Sequence, residues 1–150
     1  MGKTLDDRSL PDRLFDSAIR VAYRAGYRVA RVWWRVYGPD HNGVGVLVRH
    51  NGHVLAVLHS YRPGYTIPGG GMGRGEPARD AAVRELAEET SIRARPEDLV
   101  YRRKVGKTHV YELRLDVEPD VRIDYREIVD AVFLPVEEAA RHSRIFRALV

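Results

Sequence analysis

The chain contains no cysteine, so disulfide bonds, thiolate zinc sites and cysteine nucleophiles are all excluded. It also lacks an apolar run of the about 18 residues that a membrane-spanning helix needs. Charged residues between Asp6 and Arg13 interrupt the apolar stretch that a secretory signal would require. These absences predict a protein of a reducing compartment, the cytoplasm, without a transmembrane segment.

Length and composition predict one domain over residues 1–150. A chain of 150 residues with 44% hydrophobic residues is long enough to bury a sizeable core. The net charge of +4 and the isoelectric point of about 9.6 are mildly basic. A basic excess suits ligands that carry phosphate, and it serves simple solubility equally well.

A glycine-rich loop, residues 69–75, leads into a well-signalled helix over residues 77–89. Pro77 suits a first helical turn, where the missing N–H has no partner to lose. The interior consists mostly of good helix formers. Ala78, Ala82 and Leu86 fall at helical spacing, and we expect them to form the apolar stripe that packs on the core.

Three carboxylates are placed where a structural helix would not put them. Glu85, Glu88 and Glu89 share one face in the last turns, where the helix dipole favours cations and each misplaced charge costs about 0.3–1 kcal/mol. A bound divalent cation would remove this penalty. Carboxylate oxygens favour a hard ion such as Mg²⁺ or Mn²⁺. A solvated acidic face is the alternative interpretation.

The spacing of the charged residues resembles a known signature, the Nudix box, with the pattern Gly-x5-Glu-x7-Arg-Glu-U-x-Glu-Glu-x-Gly-U, in which U is a bulky aliphatic residue. The matching positions of residues 70–92 are Gly70, Glu76, Arg84, Glu85, Leu86, Glu88, Glu89 and Ile92. The one departure is Ser91, which stands where the family has glycine. That position follows the helix end, where a left-handed conformation is usual and costs a serine about 1–2 kcal/mol.

The resemblance implies a fold and an activity. The expected fold class is α/β, a Nudix-type α/β/α sandwich with a mixed β-sheet. The expected reaction is attack of water on a phosphorus of a nucleoside diphosphate linked to another group. ADP-ribose or another nucleotide sugar, a nucleoside triphosphate, a dinucleoside polyphosphate and an RNA end are all compatible substrates. Family members are often homodimers, which is therefore a further expectation.

The resemblance also implies roles for the carboxylates and the loop. By position in the box, Glu85 and Glu89 would bind the metal directly, and Glu88 would bind it directly or through water. The carbonyl of Gly69 would complete a hard oxygen site for Mg²⁺ or Mn²⁺. Arg84 would hold the carboxylates in place.

The resemblance implies roles for four further residues less specifically. Glu76 would pair with Arg84. The general base is open between Glu85 and Glu127, and a surface position for Glu127 is an equal alternative. Arg62 and Tyr65 precede the box and are candidates to meet a phosphate and to stack on a base. A solvated arginine and a packed tyrosine explain these two equally well.

The remaining pattern predicts a sheet and a helical extension. Alternating residues 43–49 and 53–60 flank Asn51 and Gly52, the strongest two-residue hairpin signal. Further strands are expected over residues 99–103, 108–117 and 128–134. In the strand 108–117, the alternation predicts one face with buried Tyr111, Leu113, Leu115 and Val117 and a solvated face with Val110, Glu112, Arg114 and Asp116. A helix should begin near Pro135, with Ile145, Phe146 and Leu149 docking beyond it.

The N-terminal residues 1–37 predict a helical extension, with a helix over residues 11–25 that resumes to about Tyr37. It carries basic residues and Trp33 and Trp34, so a packing role and a surface for anionic lipid or RNA both fit. Two alternatives to an enzyme therefore stay open. One is a Nudix-like module that binds a nucleotide or RNA without cleaving it, and the other gives the main function to this N-terminal segment.

Overall fold

The structure is a computed structural model that describes residues 42–73, 75–123 and 127–149. The predicted helical extension over residues 1–37 lies outside these residues. No helix within the described part of the chain is long and apolar enough to cross a membrane.

The predicted hairpin is present. Strand β1 (Gly43–His50) pairs antiparallel with β2 (His53–His59), and His50 lies opposite His53. Asn51 and Gly52 have φ values of 44° and 76°. Positive φ at both central residues is what a tight two-residue hairpin turn requires, which explains the Asn-Gly pair.

The sheet is mixed, as predicted. The other elements are β3 (Tyr65–Thr66), α1 (Ala78–Thr90), a 3₁₀ turn (Pro96–Asp98), β4 (Val100–Val105), β5 (Thr108–Arg114), β6 (Ile128–Pro135), α2 (Val136–His142) and α3 (Arg144–Arg147). The strand order is β3-β2-β1-β5-β4, and β6 pairs antiparallel with β2. Strands β1 and β5 are parallel, whereas β4 and β5 form an antiparallel pair.

Helices cover both faces of the sheet, which confirms the α/β/α sandwich. On one face, α1 inserts Ala82 and Leu86 against Val46 and Leu55. On the other face, Ala139 of α2 and Phe146 of α3 pack against Leu47 and Val110, among other residues of that core. The predicted docking of the C-terminal residues is confirmed, because Phe146 is fully buried and Ile145 and Leu149 pack beside it.

Helix α1 ends as the sequence predicts. Ser91 adopts the left-handed conformation, with φ 61° and ψ 7°, and its N–H donates to the carbonyl of Ala87 at 2.9 Å. The hydroxyl of Ser91 donates to the carbonyl of Arg122 at 3.0 Å. This hydrogen bond offsets part of the cost of placing a serine where glycine is free of strain.

Strands β1 and β2 separate beyond their turn, and the glycine-rich loop fills the gap. Their register pairs are confined to the turn end of the hairpin. Nearer the start of β1, the N–H of Val46 donates to the carbonyl of Pro68 at 2.8 Å, and the N–H of Val44 donates to the carbonyl of Gly70 at 2.9 Å. The loop therefore runs along the middle of the sheet.

The predicted solvated face of the strand after residue 108 is wrong for Val110 and Glu112. Strand β5 ends at Arg114, not at residue 117, and all four residues from Val110 to Leu113 are buried. The reason is that β5 lies inside the sheet with helices on both faces, so both sets of its side chains face a core. Glu112 is only 3% exposed.

Glu112 is a buried carboxylate held by three guanidinium groups. It forms ion pairs with Arg49, Arg102 and Arg114. Burial by itself raises the pKa of Glu112, but these three arginines outweigh it and hold the pKa below the ordinary value of 4.5. The ionised carboxylate therefore stabilises the fold above that pH.

We predict that Glu112→Gln destabilises the protein at pH 7 by about 1–2 kcal/mol, because it removes the charge-assisted contacts of a buried carboxylate with Arg49, Arg102 and Arg114. A depressed folded pKa gives stability that is present above the unfolded pKa and is lost as pH falls through the folded pKa. The difference between variant and wild type should therefore shrink below pH 4.5. Urea unfolding at pH 7 and pH 3.5 measures both effects.

The matched control is Glu118→Gln, because Glu118 is exposed. This variant should stay within about 0.5 kcal/mol of wild type. Equal stabilities for the Glu112 and Glu118 variants at pH 7 would contradict the account.

Candidate active site

Glycines let the loop approach both the sheet and helix α1. At Gly69, where φ is 155°, an added Cβ would lie 2.2 Å from the carbonyl oxygen of Val44. At Gly70, an added Cβ would lie 2.5 Å from Oε2 of Glu85. The backbone of Val44 cannot move aside, so Gly69 is required for close packing as well as for its positive φ, whereas a side chain at Gly70 would displace the carboxylate of Glu85.

Arg84 ties the loop to the helix. Its Nε and Nη2 donate to the two carboxylate oxygens of Glu76 at 2.9 and 3.0 Å, and Nη2 also donates to the carbonyl of Gly71 at 3.0 Å. Its Nη1 donates to Oε1 of Glu85 at 2.7 Å. The hydrogen bonds from Arg84, together with one from the N–H of Gly73, lower the pKa of Glu76 to about 2. The pairing that the resemblance implies is therefore present.

The three carboxylates of α1 lie in different environments. Glu88 is exposed, with its oxygen 3.4 Å from Nη1 of Arg84. Glu85 is half-buried, and burial raises the pKa of its carboxyl above the ordinary 4.5. The charges of Glu88 and Glu89 raise it further, against the opposing hydrogen bond from Arg84. Glu89 is buried, at 5% exposure.

Glu89 is held on both sides. Its Oε1 lies 2.8 Å from Nε2 of His59, and its Oε2 accepts the N–H of Gly69 at 2.8 Å. Gly69 thus contacts the carboxylates through its N–H. Its carbonyl, the group implied as a metal ligand, keeps that role only as a prediction. Glu89 joins three elements: the end of α1, the end of β2 and the glycine-rich loop.

Glu127 lies close to this pair. Ligand atoms of His59, Glu89 and Glu127 all lie within 4.8 Å of one another. The hydroxyl of Tyr61 donates to Oε1 of Glu127 at 3.0 Å, and the N–H of Ser60 donates to its carbonyl at 2.8 Å. Burial and the Glu127 charge raise the pKa of Tyr61, so its hydroxyl stays protonated and remains a donor. Glu127 is therefore part of the site region.

Sequence reasoning missed His59 and Tyr61. A signal for His59 exists in the alternation of β2, because Leu55, Val57 and His59 lie on one side of the strand and the first two are fully buried. A polar residue that continues a buried series needs a buried partner. The partner, Glu89, is distant in sequence, so the pattern alone does not name it.

Two cavities adjoin the site, and Arg62 lines both. One, of about 390 Å³, lies beside the glycine-rich loop, and its polar lining includes Arg62, Tyr65, Thr108, His142 and Arg144. The other, of about 400 Å³, is lined by His59, Tyr61, Arg62 and Val129, among others. The structure thus places both predicted substrate contacts, Arg62 and Tyr65, at a cavity next to Gly69.

Tyr65 is fixed in orientation. Its hydroxyl donates to Asp130, and this hydrogen bond is the main cause that raises the pKa of Tyr65 to about 12. The ring of His142 meets it edge-on, with the centroids 5.3 Å apart. A fixed aromatic wall suits a planar ligand group, because no rotamer freedom is lost on binding.

Comparison with known proteins identifies the family. The NUDIX domain model matches residues 39–149. The chain therefore belongs to the Nudix family, as the box predicted. The enzyme class expected from the sequence, a pyrophosphohydrolase acting on acid anhydrides, is the class of this family. A search of curated proteins gives no match.

Solved structures share the fold. A C. elegans Ap4A hydrolase is 20% identical with a TM-score of 0.60, and the match covers 73% of this chain and 91% of that one. A bifunctional NMN adenylyltransferase/ADP ribose pyrophosphatase from Francisella tularensis is 23% identical with a TM-score of 0.61, over 89% of this chain and 47% of that one. The Nudix hydrolase RenU from M. smegmatis is 20% identical with a TM-score of 0.58, over 73% and 80% of the two chains. The TM-scores show that these proteins share the fold of this chain.

We predict that Glu85→Gln raises the stability of the metal-free protein at pH 7. A carboxyl whose folded pKa is raised destabilises the fold once it ionises, so stability falls as pH rises from 4.5 through the folded pKa. Glutamine mimics the protonated form, and we expect a gain of about 0.5–1 kcal/mol. Thermal unfolding in EDTA measures it.

Asp80→Asn on the same helix is the control. Asp80 is exposed in the first turn, where a negative charge is favourable, so this variant should lose about 0.3–1 kcal/mol. If Glu85→Gln is destabilised as much as Asp80→Asn, the ionised carboxylate of Glu85 does not destabilise the fold and the prediction is contradicted.

Proposed function

We propose that this protein hydrolyses a phosphoric anhydride bond in a nucleoside diphosphate-linked substrate, in a reaction that depends on Mg²⁺ or Mn²⁺. The observation that carries the proposal is the arrangement of the box. Arg84 and the glycine-rich loop gather Glu85, Glu88 and Glu89 beside a cavity with a basic lining. Polyphosphate hydrolysis needs this combination of fixed carboxylates and cationic walls.

The residues fit a divalent cation. Glu89 is a buried carboxylate and Glu85 is half-buried, and burial raises the pKa of Glu85, so a bound cation would stabilise the ionised forms of both. Glu88, Glu89 and the carbonyl of Gly69 would hold the cation, together with Glu85 unless that residue, which the box also implies as a ligand, acts instead as the base. When bound, such a cation neutralises phosphate charge and lowers the pKa of a bound water.

The chain's own residues supply orientation and proton transfer. We assign Glu85 as the base that accepts the proton of the attacking water, because a carboxylate with a raised pKa is a stronger base near neutral pH. Arg84 keeps Glu85 in place through the hydrogen bond at 2.7 Å. Glu76 in turn holds Arg84 through two hydrogen bonds. Glu127 belongs instead with His59 and Glu89.

The cavity of about 390 Å³ is the proposed substrate site. Its volume lies in the range of small-molecule pockets, and no carboxylate is among its lining residues within the described chain. Arg62 and Arg144 would bind phosphate, and Tyr65 would stack on the base. The Ap4A hydrolase and the ADP ribose pyrophosphatase among the structural neighbours make diadenosine polyphosphates and ADP-ribose the first substrates to test.

A product-release assay tests the reaction. It compares ADP-ribose, nucleotide sugars, nucleoside triphosphates and diadenosine polyphosphates in Mg²⁺, Mn²⁺ and EDTA. We expect cleavage of one class with metal, none in EDTA, and a loss of at least about 100-fold in Glu89→Gln, because the variant lacks a charged oxygen ligand for the proposed cation. Glu118→Gln should retain full activity.

Tight binding of a nucleotide without turnover of any substrate would instead support a binding module. Unchanged turnover in EDTA would refute the metal dependence.

The role of the cavity is tested separately. Arg144→Ala should raise KM about tenfold with little change in kcat, since it removes a contact made equally in the ground and transition states. Arg141→Ala is the matched control, because Arg141 is an exposed arginine that does not line the cavity. Equal KM values for the two variants would place the substrate elsewhere.

A further inference from the structure

His59 is a buried imidazole in which one ring nitrogen lacks a partner. The residue is 4% exposed, and its Nε2 lies 2.8 Å from Oε1 of Glu89. Its Nδ1 is buried and makes no hydrogen bond with any residue that the structure describes. Nε2 is therefore the ring nitrogen that faces the carboxylates, and a cation bound there would shift the ring proton to Nδ1, where no hydrogen bond to a described residue has to be broken.

The distances around His59 suit the coordination of a cation. Two ligand atoms on adjacent corners of an octahedral ion, each about 2.1 Å from it, lie about 3 Å apart. The separation of 2.8 Å between Nε2 of His59 and Oε1 of Glu89 is close to this value. A ligand atom of Glu127 lies within 4.8 Å of both residues, so that a small rotation of the Glu127 side chain would bring it to a third corner.

The surrounding contacts favour a preformed site. Oε2 of Glu89 accepts the N–H of Gly69, and Oε1 of Glu127 accepts the hydroxyl of Tyr61. Each carboxylate is thus oriented through one oxygen. Hydrogen bonds of this kind, from groups behind the ligands, hold metal-binding carboxylates in position.

We propose that His59 is a nitrogen ligand in a mixed site with Glu89 and Glu127, and that this site takes Mn²⁺ or a similar transition-metal ion in preference to Mg²⁺. Imidazole suits borderline ions, whereas Mg²⁺ is held mainly by oxygen. The inference rests on the proposed metal dependence, since Glu89 is shared with the box. The proposed function leaves the choice between Mg²⁺ and Mn²⁺ open, and the nitrogen ligand favours Mn²⁺.

The rival role for His59 is a hydrogen bond that only orients Glu89. His59→Gln separates the two, because glutamine can still donate a hydrogen bond but is a poor ligand for transition metals. We expect the Kd for Mn²⁺ to rise at least about tenfold in this variant and the Kd for Mg²⁺ to change less than about threefold. Equal changes for the two ions, or none, would overturn the proposal.

Binding is measured by the loss of the free Mn²⁺ signal in electron paramagnetic resonance and, for Mg²⁺, by calorimetry. His53→Gln is the control, because His53 is an exposed histidine at the other end of β2. It should leave both affinities unchanged. Thermal unfolding in EDTA shows whether the His59 variant is folded.

Pulsed electron paramagnetic resonance of Mn²⁺ bound to the wild-type protein gives a result that needs no variant. We expect coupling to a directly bound ¹⁴N nucleus. Bound Mn²⁺ without nitrogen coupling would overturn the role of His59 and leave the proposed function intact. Failure of the wild type to bind either ion would refute the proposed metal dependence itself.

Discussion

The hydrogen bonds that hold one buried carboxylate, Glu89, determine how the helix, the strand and the loop of the site fit together. Glu89 is taken out of water at the end of α1, where the helix dipole is also unfavourable, and such a charge is costly unless it is compensated. His59 and the N–H of Gly69 hold its two oxygens. The contact joins helix, strand and loop, so the geometry of the site and the packing of α1 depend on the same few atoms.

The sheet makes that contact possible. Because β1 and β2 pair only near their turn, the glycine-rich loop takes its hydrogen bonds from Val44 and Val46. The loop is thereby brought against the helix, where Gly70 packs on the carboxylate of Glu85. Arg84 fastens the opposite side through Glu76 and Gly71. The separation of β1 and β2 thus makes room in the sheet for the glycine-rich loop.

Features governed by local chemistry could be predicted from the sequence. Asn51 and Gly52 specify the hairpin turn, and Ser91 adopts the expected left-handed conformation. Features that need distant partners could not be predicted. Nothing near His59 in sequence indicates Glu89, and the alternation of β5 does not reveal that Glu112 is buried and meets three arginines. The roles of the individual box carboxylates remain predictions, because the contacts show where these groups lie and not what they bind.

The most direct test of the account is a crystal structure of the wild-type protein with Mn²⁺ and a non-hydrolysable ADP-ribose or diadenosine polyphosphate analogue, with anomalous data that locate the ion. We predict a manganese peak about 2.1–2.3 Å from an oxygen of Glu89, with the analogue phosphates beside Arg62. A peak away from Glu89, with this carboxylate still held only by His59 and Gly69, would contradict the central claim.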